Sequence, residues 1–143
     1  MKYLIDTNIF LRALVRENEE QFEESKQILQ GIEARSLNAV GTSLVLNEVV
    51  WTLLRYYKYP REKIILAGLG ILNLFDKNMY HEYDYRNAFS LFSKYKVPFV
   101  DCCIASIPEV RSKEWTIISY DSDFKKLPVL WKTPKQILKT VHL

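Results

Sequence analysis

The sequence has little of what marks several common classes of protein. Four glycines, five prolines and no repeat or low-complexity stretch leave an ordinary globular profile. The two cysteines, Cys102 and Cys103, are adjacent, and neighbouring cysteines rarely form a relaxed disulfide. No cysteine or histidine spacing suits zinc, and neither His81 nor His142 lies beside an acidic motif. We therefore expect two small buried thiols and no zinc site.

Long apolar runs are also absent. Even Ile64–Leu74 contains two glycines and is flanked by charge, so it does not approach the length of a membrane span. The chain begins directly with the apolar run Tyr3–Ile5, without a charged and apolar leader or a cleavage site. We expect a cytoplasmic protein with no membrane segment.

Length and charge indicate one globular domain and a mild preference for anionic partners. The 143 residues are 48% apolar, which is enough for one domain, residues 1–143, with a substantial core. The net charge of +3 suits a phosphate-bearing partner without proving one. The stretch from residue 111 onward holds seven Lys or Arg against three acids, which indicates either such a partner or a solvated surface.

Short apolar strands alternate with amphipathic helices along the chain. This pattern predicts an α/β fold of three layers, α/β/α, with a short and mostly parallel central sheet. The predicted strands are Lys2–Ile5, Asn38–Gly41, Met79–Tyr83, Thr116–Ser119 and Val129–Trp131. One helix is predicted to run from about residue 100 to Arg111 without interruption. In such sheets ligands bind outside the carboxyl ends of the strands.

Three aspartates are expected at that rim of the sheet. Asp6 follows the first predicted strand, Asp121 follows the strand Thr116–Ser119, and Asp101 stands at the start of a predicted helix. Each taken singly has an ordinary structural explanation, because aspartate is a preferred helix cap and a common residue of Asx turns. Only as a group do they indicate a functional site.

Glu48 is harder to explain by a structural role alone. On a helix over residues 44–57 it shares a stripe with Leu44, Val45 and Trp51, which are expected to face the core. A carboxylate there must take up a proton, pair with a cation such as Arg55, or bind a metal ion. We favour the metal ion.

Clustered carboxylates repel one another and raise one another's pKa, so a cluster of these four acids makes sense when a cation occupies it. Ligands that are all oxygen favour Mg²⁺ or Mn²⁺. Such an ion makes water easier to deprotonate and offsets charge on a phosphate, which suits the hydrolysis of a phosphodiester.

Four ordered acidic motifs resemble those of the PIN-domain family, and together they span essentially the whole chain. The motifs are Leu4–Asn8, Ser43–Glu48, Phe99–Ala105 and Ile118–Phe124. The resemblance implies a metal-dependent ribonuclease, and the matching catalytic and metal-binding positions are Asp6, Glu48, Asp101 and Asp121. It implies supporting roles for Asn8, Ser119 and Asp123, of which Asp123 is a possible further ligand.

The short chain is most similar to the VapC toxins of toxin–antitoxin pairs. This likeness implies an endoribonuclease that uses Mg²⁺ or Mn²⁺, forms a homodimer and is held inactive by a small antitoxin that covers the acidic pocket. Two alternatives stay open: a PIN nuclease of RNA maturation outside any toxin pair, and a non-catalytic PIN-like module that binds RNA or protein. A phosphatase with an aspartate nucleophile is disfavoured, since Asn8 stands where its general acid is needed.

A cluster of tyrosines has no place in these motifs. Tyr56, Tyr57 and Tyr59 alternate with basic residues, and such a cluster can stack on bases, form a dimer face, or simply pack the end of a helix.

Overall fold

The computed structural model describes residues 1–143, and its centre is a five-stranded sheet. The strands are β1 (Lys2–Ile5), β2 (Ala39–Thr42), β3 (Met79–Tyr80), β4 (Trp115–Ile118) and β5 (Leu130–Lys132). They lie in the order β3-β2-β1-β4-β5, and all four neighbouring pairs are parallel. The predicted parallel sheet is confirmed.

Eight helices connect and cover the strands. They are α1 (Thr7–Leu14), α2 (Glu19–Glu33), α3 (Ser43–Arg55), α4 (Arg61–Phe75), α5 (Tyr85–Lys94), α6 (Phe99–Ala105), α7 (Pro108–Arg111) and α8 (Pro134–Thr140). Right-handed crossovers place α1 to α4 on one face and α5 to α7 on the other, because the chain returns across the sheet after β3. Contacts agree, since α1 packs on α2 and α3 while α5 packs on α6. The predicted three-layer fold is confirmed.

The central strands are buried on both faces. Leu4 and Ile5 of β1 and Ile117 and Ile118 of β4 have no exposed surface, which explains why these strands are continuous apolar runs. From β1 the chain first moves outward to β2 and β3, then returns to add β4 on the other side. The carboxyl ends of β1 and β4 therefore form a topological switch point, where α/β folds bind ligands.

The prediction of one helix reaching Arg111 is wrong. The segment divides into α6, which ends at Ala105, and α7, which begins at Pro108. Proline lacks a backbone N–H and its ring clashes with the preceding turn, so the helix cannot continue through this position. At the other end α6 begins at Phe99, so Asp101 lies in the first turn and does not cap the helix.

Smaller differences concern the ends of strands. β3 is shorter than the predicted Met79–Tyr83, because Tyr83 leaves the strand and its hydroxyl accepts a hydrogen bond from the backbone N–H of Leu44 at 3.1 Å. β5 begins one residue later than predicted. A 3₁₀ helix over Ser122–Lys126, which the sequence pattern did not predict, follows β4.

The two cysteines are buried and unbonded, as predicted. Burial raises the pKa of the Cys103 thiol to about 11, so it stays protonated near neutral pH. None of the helices combines the length and the apolar character needed to cross a bilayer.

Gly41 in β2 occupies a position where no larger residue fits. A Cβ atom there would lie 2.7 Å from a ring carbon of Phe75 and 2.8 Å from the sulfur of Met79. Phe75 is itself buried in the core, so its ring cannot move aside freely. The glycine is therefore required for the close packing of the Phe75 and Met79 side chains against β2.

We expect Gly41→Ala to lower the free energy of unfolding by about 1–3 kcal/mol, the usual effect of overpacking a core. Gly68→Ala in α4 is the matched control, because no atom lies within 4 Å of its added Cβ. That change should raise stability by up to about 1 kcal/mol, since alanine favours a helix over glycine. Urea unfolding measures both, and equal stability of Gly41→Ala and the unmodified protein would contradict the packing argument.

Candidate metal-binding site

Asp6 lies at the junction of β1 and α1 and is only 5% exposed. Its backbone N–H donates to the carbonyl of Ile118 at 3.1 Å, which extends the pairing of β1 and β4 by one residue. The side chain makes no capping hydrogen bond to α1. It accepts instead from the hydroxyl of Ser119 at 2.6 Å and from the amide of Asn8 at 3.4 Å. The carboxylate thus faces the switch point.

Ser119 and Asn8 join the ends of the two central strands. The Ser119 hydroxyl, besides donating to Asp6, accepts from the side-chain amide of Asn8 at 3.1 Å and from the backbone N–H of Asp121 at 2.9 Å. The Asn8 side-chain oxygen accepts from the backbone N–H of Tyr120 at 3.1 Å. These bonds fix the positions of Asp6 and Asp121 relative to each other.

Three carboxylates form the tightest group at this edge of the sheet. One oxygen from each of Asp101, Asp121 and Asp123 lies within 4.8 Å of the other two. Asp101 comes from the first turn of α6, and the other two come from the segment after β4. The Asp121 side chain also accepts from the backbone N–H of Asp123 at 2.9 Å, so the Asx turn considered as an alternative is present within the site.

Asp101 carries the clearest sign of a missing partner. It is 7% exposed, and its Oδ2 atom is buried without any hydrogen bond. Burial, followed by the charges of the neighbouring acids, raises its pKa to about 8. A buried carboxyl group with an unpaired oxygen, close to other carboxylates, fits a hard divalent cation, which is held through oxygen ligands alone.

Glu48 sits at the margin of this group. Its Oε1 atom accepts from the hydroxyl of Thr7 at 2.9 Å, and it makes no ion pair with Arg55. Burial and the charge of Asp121 raise its pKa, against the effect of the Thr7 bond. The prediction that Trp51 shares a core-facing stripe with Glu48 is wrong, since Trp51 is 64% exposed.

The true core-facing stripe of α3 runs through Val45, Val49 and Leu53. Glu48 stands about 100° around the helix from the middle of this stripe, at the boundary between core and solvent. The carboxylate is half-buried there because the carboxyl end of β1 and the first turn of α1 cover one side of it.

The electrostatic balance of the site is strongly negative. Burial raises the pKa of Asp6 to about 6, the Ser119 bond opposes this, and the charges of Glu48 and Asp121 add to it. Lys126 offers the one ion pair to these acids, with Asp123 at 3.0 Å, and its side chain is 58% exposed. A single solvated lysine compensates little of the charge that the ionised members of this group carry.

One contributor was missed by reasoning from the sequence. Thr7 holds Glu48, and its position inside the motif Leu4–Asn8 was the available signal. Asp123, predicted as a possible further ligand, lies in the tight group with Asp101 and Asp121. The structure brings together all the predicted acids, with Asp6 and Glu48 beside the group of three.

Comparison with known proteins shows the family and the fold of the chain. A family model described as the PIN domain matches residues 3–130. A curated relative, a "VapC ribonuclease" of Aquifex aeolicus (strain VF5), is 30% identical over 124 residues, which are 87% of this chain and 90% of the relative.

Solved structures share the fold at low sequence identity. VapBC2 from Rickettsia felis, bound to a DNA fragment from its promoter, contains a chain with a TM-score of 0.62 and 14% identity, covering 93% of this chain and 98% of that one. FitAcB from Neisseria gonorrhoeae gives a TM-score of 0.65 and 18% identity, with 99% of both chains covered.

Asp101→Asn should stabilise the protein in the absence of divalent ions. The raised pKa of Asp101 means that the folded state favours the protonated form, so its contribution to stability is full below about pH 4 and is lost as pH rises towards about 8. Asparagine stays neutral throughout. We expect the free energy of unfolding of Asp101→Asn to exceed that of the unmodified protein by a margin that grows over this range and reaches about 1–3 kcal/mol near pH 8.

Thermal unfolding in EDTA at a series of pH values measures the difference. Adding Mn²⁺ should raise the melting temperature of the unmodified protein, because the ion stabilises the ionised carboxylates. The difference in melting temperature between Asp101→Asn and the unmodified protein should therefore become smaller. A gap that is constant with pH would contradict a buried, unpaired Asp101.

Proposed function

The chain belongs to the PIN-domain family, and on that premise we propose that it is a divalent-metal-dependent endoribonuclease that hydrolyses RNA phosphodiester bonds. The observation that carries the proposal is the unpaired, buried oxygen of Asp101 beside the carboxylates of Asp121 and Asp123. The name of the Aquifex relative, a ribonuclease, supports the choice of RNA as substrate.

We assign the metal-holding role to Asp6, Glu48, Asp101 and Asp121, with Asp123 as a further ligand. Asp101, Asp121 and Asp123 would hold the ion most directly, because their oxygens are already within 4.8 Å of one another. All the donors are carboxylate oxygens, which favours Mg²⁺ or Mn²⁺ over softer metals. When bound, such a cation supplies Lewis-acid activation of water and charge compensation at the phosphate.

The remaining residues of the site hold the ligands in place. Ser119 and Asn8 are positioning residues, since their hydrogen bonds hold Asp6 and the segment that carries Asp121. Thr7 is a further positioning residue, because its hydroxyl donates to Oε1 of Glu48 and leaves Oε2 free of hydrogen bonds.

A non-catalytic PIN-like module is the alternative that the site disfavours. A module that only binds RNA or protein gains nothing from keeping buried carboxylates that repel one another and destabilise the fold. The same physical argument does not separate a toxin from a nuclease of RNA maturation, because both need the site.

We expect purified protein to cleave single-stranded RNA with Mg²⁺ or Mn²⁺ and to stop when EDTA is added. Asp101→Asn should lower the cleavage rate by about a hundredfold or more, since it removes a ligand and the charge stabilisation that depends on it. Asp84→Asn is the matched control, because Asp84 caps α5 far from the site in sequence and asparagine caps equally well.

Calorimetric titration with Mn²⁺ in the absence of RNA gives a second readout. Asp101→Asn should lose binding while Asp84→Asn keeps it, and circular dichroism should show both variants folded. Cleavage that continues in EDTA would refute the metal-dependent mechanism. Binding of Mn²⁺ without any cleavage would favour the non-catalytic module.

We further propose that the protein is the toxin of a type II toxin–antitoxin pair and acts as a homodimer. A toxin–antitoxin complex from Klebsiella pneumoniae contains a chain of the same fold, with a TM-score of 0.55 and 19% identity, and the match covers 92% of this chain and 97% of that one. An antitoxin and a second copy both need apolar surface, and large apolar residues are exposed on α4 and α5. They include Ile65, Leu66, Leu69, Phe89 and Phe92.

The toxin assignment makes a prediction about growth. Expression of the intact chain should arrest a bacterial host, and Asp101→Asn at equal protein level should not. A short reading frame beside the gene should encode a small DNA-binding protein that restores growth on co-expression. Harmless expression of an active nuclease would instead indicate a role in RNA maturation.

A further inference from the structure

The exposed side of α3 continues directly from the acidic site. Trp51 and Arg55 lie three and seven residues after Glu48, so all three side chains project from the same side of the helix. Along the axis they stand about 4.5 Å and about 10.5 Å beyond Glu48. Trp51 is 64% exposed and Arg55 is exposed without an ion-pair partner. A large aromatic ring and a free guanidinium thus lead away from the site.

The tyrosine cluster at the end of α3 divides into anchored and free residues. The hydroxyl of Tyr57 donates to Glu17 at 3.1 Å, and that of Tyr59 donates to the carbonyl of Leu14 at 3.4 Å. These two therefore pack the end of the helix, which was one of the interpretations considered. Tyr56 makes no side-chain hydrogen bond and is 72% exposed, and its ring rests edge-on against Tyr57 at 4.9 Å.

The charge around these rings is mostly positive. Residues 55–63 contain four cations and one acid, Glu62, and none of the four cations forms an ion pair. The cations are Arg55, Lys58, Arg61 and Lys63, all exposed. Exposed aromatic rings between uncompensated cations are typical of surfaces that bind single-stranded nucleic acid, where bases stack and phosphates pair with charge.

We propose that Trp51, Arg55 and Tyr56, the α3 strip, bind single-stranded RNA and lead it into the acidic site. Bases stack on Trp51 and Tyr56, and a phosphate pairs with Arg55. This inference rests on the proposed ribonuclease function and adds to it the path of the substrate. The strip starts about one helical turn from Glu48, which places it beside the acidic site.

A second copy of the chain is a poorer occupant of the strip. Two copies that met through this end of α3 would bring the four unpaired cations of residues 55–63 near the same four of the other copy. Like charges in contact oppose association. A polyanion turns the same charge into attraction, which is why the observations favour RNA.

Fluorescence anisotropy with a labelled single-stranded RNA of about twelve nucleotides tests the strip. The measurements use Asp101→Asn as background in EDTA, so that binding is recorded without cleavage. Trp51→Ala and Tyr56→Ala should each weaken binding about tenfold, and Trp51→Phe should retain most of the affinity because a ring remains. Arg55→Gln should reduce the salt dependence by about one phosphate contact.

Matched controls lie elsewhere on the surface. Tyr85→Ala removes an aromatic ring that is 50% exposed at the start of α5, and Lys77→Gln removes an exposed cation beyond α4. Neither should change the affinity. DNA of the same sequence shows how much of the binding is plain stacking and charge.

The outcomes separate this inference from the proposed nuclease. Unchanged affinity in all three strip variants, or no RNA binding by the background protein, would overturn the strip. A change in oligomeric state of the variants by analytical ultracentrifugation, with RNA affinity intact, would assign the surface to a second copy and also overturn it. Weakened binding in a protein that never cleaves RNA would leave the strip standing while the nuclease fails.

Discussion

Parallel pairing of β1 with β4 brings carboxylates that repel one another to a single edge of the sheet, and the rest of the site is arranged around that repulsion. Asp6 follows one strand, and Asp121 follows the other after two residues. The chain cannot separate them without breaking the pairing at Ile5 and Ile118, which lies in the most buried part of the core. The pairing of β1 with β4 therefore both builds the core and holds these two carboxylates close together.

The acids differ in the hydrogen bonds that they receive from their surroundings. Asp6 receives hydrogen bonds from Ser119 and Asn8, which offset part of the effect of its burial, and its pKa rises to about 6. Asp101 receives nothing at Oδ2, and its pKa rises to about 8. The difference between them places the unmet need for positive charge at Asp101. A site designed only for stability would have supplied a donor there, as it did at Asp6.

The fold was largely readable because the relevant signals are local. Apolar runs such as Lys2–Ile5 are short and continuous, and that alone distinguishes a buried parallel strand from a half-exposed one. What failed depended on tertiary context. The face of α3 that meets the core is set by the packing of α1 and α4 against it, so Trp51, apolar by type, turned out to be exposed. The break between α6 and α7 was readable from Pro108 and was overlooked.

The sequence predicted which acids belong to the site but not how they are arranged in space. Sequence spacing brings Asp121 and Asp123 together, whereas the approach of Asp101 depends on how α6 packs beside β4, which no local pattern encodes. Charges of both signs lie along α3, with Glu48 at the acidic site and Arg55 in the strip. Five carboxylates repel a phosphate backbone, so a nucleic acid can enter the site only when a cation compensates them. The unpaired cations that follow Arg55 attract a phosphate backbone whether or not a metal ion is bound. Under the proposed function, RNA is attracted to the strip without a metal ion, and its entry into the acidic site depends on occupancy of that site by a divalent cation.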